Sequence, residues 1–373
     1  MVPHSDRTVI ETMDFDVLPT GKLEPLTRIS PSRFTSLQLC PLREILAANN
    51  KPRLLPSSPS AQLGTVVHKL IEAGSRGQIK NEQDMLSCWE ASCGKVEQEM
   101  QKSSLEHHLI PLASSANNYE IKKIMAFNVV RKCFSDGSVP VKTESARKLE
   151  PEVWMETEDG KVGGKIDLIK RTQKGAEIID YKTGAVTENL PDERSIKQEY
   201  SQQLKLYAAL YFSVHGEWPV RLALIGMDSV EYEIPFTHDE CLQLLDEAKH
   251  ELDELNQLIA SGLPDKDFSR PSPEACRYCS YRPGCKAYWQ KRQDNAEWPA
   301  DVRGRITERK ILGNGFIRII LENNGKKFVI RGLSPERHSF LKEESNTVMF
   351  CNLGHDSAEG FFIERPLTAG YKL

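Results

Sequence analysis

Asp167 and Asp180 stand inside two short apolar runs, GGKIDLI and EIIDYKTG, and Lys182 follows the second aspartate by two residues. A charged carboxylate in an otherwise buried strand costs free energy unless something partners it. Glycine-bounded runs of this length read as neighbouring strands joined by a short turn. That arrangement can bring both carboxylates to one end of a sheet, where they repel. A divalent cation relieves the repulsion, and hard oxygen ligands suit magnesium or manganese. Lys182 shares the strand face of Asp180, so its ammonium would hold or polarise a water beside the metal. Metal, water and cation together are what phosphodiester hydrolysis requires. Taken alone, the same residues also fit a surface hairpin whose Asp and Lys pair in solvent.

The elements around this hairpin decide between the two. Residues 1–29 are polar and proline-punctuated, which predicts an irregular arm. Ser30 and Pro31 suit a helix start, and 49–60 reads as a loop. AQLGTVVHKLIEAGSRG predicts a helix with Val67, Leu70 and Ile71 on its apolar side, and 80–135 is largely helical. From about 150 the pattern gives three strands separated by glycine turns. A helix follows, with Tyr200, Leu204, Tyr207 and Tyr211 on related faces, then a buried strand at VRLALIGM and an amphipathic helix at 238–260.

The last stretch predicts strands near 302–306, 316–322, 327–331, 348–353 and 360–365, a hairpin turn at Asn323-Asn324-Gly325, and a helix at 334–345. Five strands with a helix after the third is the order of an OB-fold; another small barrel fits nearly as well. Residues 301–373 hold 12 Lys+Arg against 9 Asp+Glu, although the whole chain is at -4. A basic end on an acidic body is compatible with nucleic acid and equally with an ordinary solvated surface.

Hydrophobic residues make up 39% and charged residues 27%, as in a soluble globular protein. No apolar run approaches the ~20 residues of a membrane span, and MVPHSDRTVIETMDF does not have the pattern of a signal peptide. The expectation is a cytoplasmic protein without a membrane partner. Of nine cysteines, Cys88, Cys93, Cys133, Cys241 and Cys351 are scattered and read as small buried apolar residues. CRYCSYRPGC places Cys276, Cys279 and Cys285 in one loop. Zinc or an iron–sulfur cluster wants four ligands, so a fourth must come from elsewhere; Cys40 lies ahead of the other motifs.

The hairpin resembles the active-site hairpin of the PD-(D/E)xK nucleases, in their RecB-like branch. That branch has an upstream G-x-x-x-H-x-x-x-E helix, matched by Gly64, His68 and Glu72, and a downstream Gln-x-x-x-Tyr helix, matched by Gln203 and Tyr207. The order of the elements agrees over residues 30–290. The resemblance implies that His68, Asp167, Asp180 and the backbone carbonyl of Tyr181 bind Mg²⁺ or Mn²⁺. It implies that Lys182 orients the attacking water, and that Gln203 and Tyr207 position the lysine or the nucleic-acid strand. Glu72 would support His68 or face solvent, and Glu152 could be an additional site carboxylate but is not assigned to the set. The motif has Ile-Asp for Pro-Asp and Asp for Glu, both common in this branch.

One subset of the branch, typified by AddB-type and CRISPR-adaptation nucleases, carries an iron staple. The order of Cys40, Cys276, Cys279 and Cys285 is similar to it, which implies a 4Fe-4S cluster, with zinc as the alternative. Closing so long a loop would give the cluster a structural role.

The expectation is therefore an α/β (α+β) restriction-endonuclease-like core with a mixed sheet over 30–298, and a small OB-like β-barrel over 299–373. The expected activity is divalent-metal-dependent deoxyribonuclease action on single-stranded or end-containing DNA. By analogy it would work beside a helicase or in antiviral defence, since the chain has no G-x-x-x-x-G-K-[ST] nucleotide loop of its own. Phe316, Phe328 and Phe361 would stack bases on the barrel, or the barrel would dock a protein. The alternatives are a non-hydrolytic single-stranded-DNA-binding subunit of a helicase–nuclease complex and a zinc-stabilised adaptor.

Overall fold

The structure is a computed structural model and describes residues 22–135, 148–189, 194–226, 230–342, 347–356 and 360–373. Most of the expected arm, up to residue 21, lies outside the described residues. The chain forms two compact units. The larger takes Leu23–Asn50 and Pro56–Ala275; the smaller takes Lys51–Leu55 and Cys276–Leu373.

The larger unit begins with α1 (Phe34–Leu39) and α2 (Pro41–Ala48), divided at Cys40, which is extended ahead of Pro41. α3 (Pro59–Ser75) starts where the Ser58 side chain accepts the Ala61 N–H and Pro59 fills the first helical turn. Leu63, Val66, Val67, Leu70 and Ile71 are its buried residues, with Gly64 and Gly74 among them. A methyl at Gly74 would come within 2.8 Å of Val130, and one at Gly64 within 3.0 Å of the Thr183 hydroxyl. Both glycines therefore allow close approach. α4 (Glu82–Lys102), α5 (Leu112–Ser115) and α6 (Tyr119–Ser135) follow, with α4 and α6 packed on α3.

Strands β1 (Lys148–Glu156), β2 (Gly163–Thr172) and β3 (Gly175–Lys182) are the three runs expected from the sequence. A small hairpin, β4 (Thr187–Asn189) with β5 (Arg194–Ile196), comes next and was not legible in the sequence. α7 (Gln198–His215) ends at Gly216, whose φ of 70° is the left-handed stop glycine favours. β6 (Arg221–Gly226), β7 (Glu231–Glu233) and α8 (His238–Ala260) complete the unit; a Thr237–Glu240 capping box opens α8. The sheet order is β1-β2-β3-β6-β7. β3 and β6 are parallel and every other pair is antiparallel, so the sheet is mixed. α7 packs on β1, β2, β3 and β6, and α3 packs on β1.

α9 (Pro273–Arg277), whose last two residues begin the main stretch of the smaller unit, runs into the cysteine loop, and α10 (Lys286–Lys291) leaves it. β8 (Val302–Ile311), β9 (Ile317–Asn323), β10 (Lys326–Leu333), β11 (Thr347–Cys351), β12 (Gly354–His355), β13 (Phe361–Ile363) and β14 (Ala369–Lys372) make one curled half-barrel sheet in the order β12-β13-β10-β9-β8-β11-β14. β10 and β13 are parallel. Its inner face buries Ile319, Leu321, Ile330, Leu333, Val348 and Phe350. Three details differ from expectation. The helix at 334–345 is, among its described residues, a single 3-10 turn at Ser339–Lys342. β12 and β14 are additional strands, too short to carry a two-residue period. Phe328 is buried in this core, whereas Phe316 and Phe361 are 40% exposed.

The smaller unit also buries a complete polar network. Arg282 is 2% exposed and pairs with Asp301, which is fully buried, at 2.7 Å. The same guanidinium donates to the carbonyls of Cys276, Arg277 and Cys279 and to the Asn352 side chain. Tyr288 and the Asn352 backbone N–H donate to Asp301 in turn. Burying two charges is tolerable here because nearly every donor and acceptor finds a partner. Among the described residues no helix is long and apolar enough to cross a membrane.

Candidate active site

All the candidate site residues apart from the cysteines of the smaller unit lie in the larger unit. β2 and β3 pair antiparallel from Leu168↔Ile179 onward, which sets Asp167 beside Asp180 at the open end of the hairpin. Asp167 Oδ2 accepts the backbone N–H of Tyr181 at 2.9 Å. Asp180 is buried, and its Oδ1 accepts a hydrogen bond from Gln203 Nε2 at 2.9 Å. Its Oδ2 accepts no hydrogen bond among the described residues and has the Lys182 ammonium at 2.9 Å as its ionic neighbour.

Lys182 is held on three sides. Besides Asp180, its Nζ donates to Gln203 Oε1 at 2.8 Å and lies 4.4 Å from the centre of the Tyr200 ring. Gln203 thus touches both the acid and the base of the hairpin from α7. Tyr207, one turn further along α7, is buried; its hydroxyl donates to the Lys165 carbonyl at 2.9 Å and pins β2 two residues before Asp167. Burial pushes the Tyr200 hydroxyl up to about 12 and raises that of Tyr207 further. Both phenols stay protonated at neutral pH, so Tyr207 works as a donor and not as a base.

α3 brings His68 to the same place, with Nδ1 3.5 Å from Asp167 Oδ2. Burial lowers the imidazole's pKa below 6.5, so the ring is neutral at pH 7 and keeps a lone pair for a cation. Glu72 instead pairs with Lys69 and Arg76 on its own helix. The approach of α3 to the end of β3 rests on Gly64, which faces Thr183.

The carboxylates have too little positive charge around them. Burial, and then repulsion from Asp180, raises the Asp167 carboxyl to about 8. Two neighbouring carboxyls, that of Asp167 raised by burial and by its neighbour's charge, an acidic oxygen with no hydrogen bond among the described residues and an imidazole form a donor set that fits a divalent cation. His68, Glu152 and Asp167 each offer a ligand atom, all within 4.8 Å of one another. Glu152 was left outside the sequence-derived set. It stands on β1 with a φ of 56°, and such a backbone conformation leaves no trace in hydrophobic period. Tyr200 was also missed in this role, though its place three residues before Gln203 on one helix was a usable signal.

No curated protein matches the chain. A solved structure from Eubacterium rectale, described as a candidate exonuclease, is similar at 12% identity and a TM-score of 0.42, covering 72% of this chain and 89% of its own. At that score the likeness carries no argument. The model of the PD-(D/E)XK nuclease superfamily matches residues 28–286, a stretch that contains the whole hairpin site, and the chain belongs to that superfamily.

Proposed function

We propose that this chain is a divalent-metal-dependent deoxyribonuclease that acts on single-stranded or end-containing DNA. One observation carries the reading: the Lys182 ammonium is fixed between Asp180 Oδ2 and Gln203 Oε1, at the end of the hairpin where Asp167 and His68 also meet. His68, Asp167, Asp180 and the Tyr181 carbonyl would hold Mg²⁺ or Mn²⁺. The cation would supply charge for the scissile phosphate and lower the pKa of a bound water. The chain's own residues do the rest. Gln203 keeps Lys182 aimed at the acidic end of the hairpin, where its ammonium orients the water and stabilises developing negative charge. Tyr207 fixes the β2 backbone that carries Asp167. His68, neutral, adds a nitrogen donor without adding charge.

The half-barrel supports an OB-like reading. Its first strand, β8, pairs with its second and fourth, β9 and β11, and its third and sixth, β10 and β13, run parallel. In this reading Phe316 and Phe361, with the basic residues of β8 and β9, would face a strand of nucleic acid.

The donor chemistry of the cysteine loop fits a thiophilic group. Three sulfurs lie within ten residues, Arg282 holds the loop's carbonyls, and Cys285 Sγ accepts the Tyr288 N–H at 3.4 Å. In this proposal, with Cys40 as fourth ligand on the strength of sequence order, the group is a 4Fe-4S cluster and zinc the alternative. A helicase or an antiviral defence system remains the proposed setting, by analogy alone.

The test is direct. Labelled single- and double-stranded DNA is incubated with Mg²⁺ or Mn²⁺ and the purified protein, beside Asp180→Ala. Cleavage by the wild type and none by the variant is expected. Binding without cleavage under both metals would sink the enzyme reading in favour of a DNA-binding subunit.

A further inference from the structure

Of the five tryptophans, Trp154 alone is exposed. It keeps 52% of its surface in water, whereas Trp89 and Trp298 are buried and Trp218 and Trp289 are partly covered. A wet indole forgoes a large gain from burial, so the place where the fold leaves one is informative. Trp154 stands on β1 and pairs in register with Lys165 of β2, two residues before Asp167.

The ring is held in place. Its Nε1–H donates to Glu156 Oε2 at 3.2 Å. The same oxygen accepts from the Arg28 guanidinium at 2.5 Å, and that guanidinium lies over the indole, 5.2 Å from the ring centre. The nitrogen edge and one face are thus fixed while more than half of the residue stays open. Residues opposite each other in an antiparallel pair leave the same face of the sheet, so Lys165 is the ring's neighbour. The Lys165 ammonium is in direct contact with Glu152, whose carboxylate comes within 4.8 Å of the His68 and Asp167 ligand atoms. The indole therefore stands one side chain beyond the acidic end of the hairpin.

We propose that Trp154 is a stacking platform for one unpaired nucleobase next to the scissile phosphate, and that it makes the site select single-stranded DNA over duplex. This rests on the nuclease reading above. An open indole accepts any base, because every base has a π-face, whereas a duplex keeps those faces stacked inside it. Arg28 and Lys165 both have exposed side chains on long stems. Each can trade its carboxylate, Glu156 or Glu152, for a phosphate oxygen of the strand that carries the base. Two cations beside a fixed ring match a base between its phosphates; an apolar peptide segment would leave both cations unmatched.

The experiment measures binding in the full chain carrying Asp180→Asn, so that the probe is not cut. The probes are a fluorescein-labelled oligothymidylate and a chain of abasic deoxyribose phosphates of the same length, read by anisotropy. Trp154→Ala should weaken oligothymidylate binding about tenfold, as loss of one stacked base does. Trp154→Phe should recover most of that loss, and the abasic chain should bind the parent and both variants alike, because it offers nothing to stack. With Asp180 restored, Trp154→Ala should raise KM on the single strand about tenfold and lower the preference for single strand over duplex by the same factor. Circular dichroism checks that each variant is folded. If Trp154→Ala binds oligothymidylate as its parent does, or weakens the abasic chain equally, the inference falls and the nuclease reading stands. Binding that depends on Trp154 without any cleavage by the wild type would keep the platform and remove the enzyme. A chain that neither binds nor cuts single-stranded DNA overturns both together.

Discussion

Gln203 spans Asp180 and Lys182: its amide nitrogen donates to the carboxylate at 2.9 Å and its amide oxygen accepts from the ammonium at 2.8 Å. One uncharged side chain thereby fixes the orientation of both charged ones. Leu at this position would keep the volume and remove both bonds. Gln203→Leu should lower kcat by about 10²-fold with little change in KM, since it misplaces groups without deleting them. It should also cost about 1–3 kcal/mol of stability, because buried polar atoms lose partners. Steady-state cleavage and thermal unfolding measure the two. Unchanged kcat would remove Gln203 from the machinery.

Asp167 sets a pH dependence whose sign is fixed by its raised pKa of about 8. The folded chain holds the proton more tightly than the unfolded chain, whose carboxyl titrates near 3.8. The metal-free protein should therefore lose stability as pH rises from about 4 to about 8, and Asp167→Asn should flatten that slope. At pH 7 the variant should be more stable by about 1–3 kcal/mol. Denaturant melts at four pH values test this, and a variant as pH-sensitive as the wild type would refute it.

Cation binding must expel the same proton. Mn²⁺ affinity should rise between pH 6 and 8, with proton release visible as a buffer-dependent heat in calorimetry. A flat affinity over that range would mean that Asp167 is not a ligand.

Arg282 and Asp301 form a fully enclosed ion pair in the smaller unit. Removing one partner strands the other, so Arg282→Met should destabilise this unit by about 3–5 kcal/mol. Chemical denaturation followed through Trp289 and Trp298 fluorescence would detect it. A loss below about 1 kcal/mol would show that water replaces the guanidinium.

The cluster proposal has a visible signature. Protein isolated without air should be brown, with a broad absorbance that dithionite bleaches, and Arg282→Met should hold less iron per chain. A colourless anaerobic preparation with one zinc per chain would replace the cluster with the alternative.

Much of the larger unit was readable because its signals are local. The short apolar runs around Asp167 and Asp180 read as buried strands, and glycines mark their turns. His68, Gln203 and Lys182 could be brought together only through the resemblance, because three elements far apart in sequence deliver them. What stayed hidden depends on tertiary context. Glu152 looks like any strand carboxylate until its φ is known. Phe328 looks as available to a ligand as Phe361, yet alternation in a curled sheet buries one and exposes the other. β12 and β14 pair for only a few residues, and the partners, not the propensities, make them strands.

The left-handed Glu152 also bears on how this sequence can drift. For folding alone, glycine or asparagine would be the better occupant by about 1 kcal/mol. Random substitution should therefore erode the glutamate in any lineage where only the fold is under selection. Descendants that keep it should also keep a lysine or arginine where Lys165 stands, and those that lose one should tend to lose both. A paired pattern of retention across relatives would record a working carboxylate, independently of any assay on this chain.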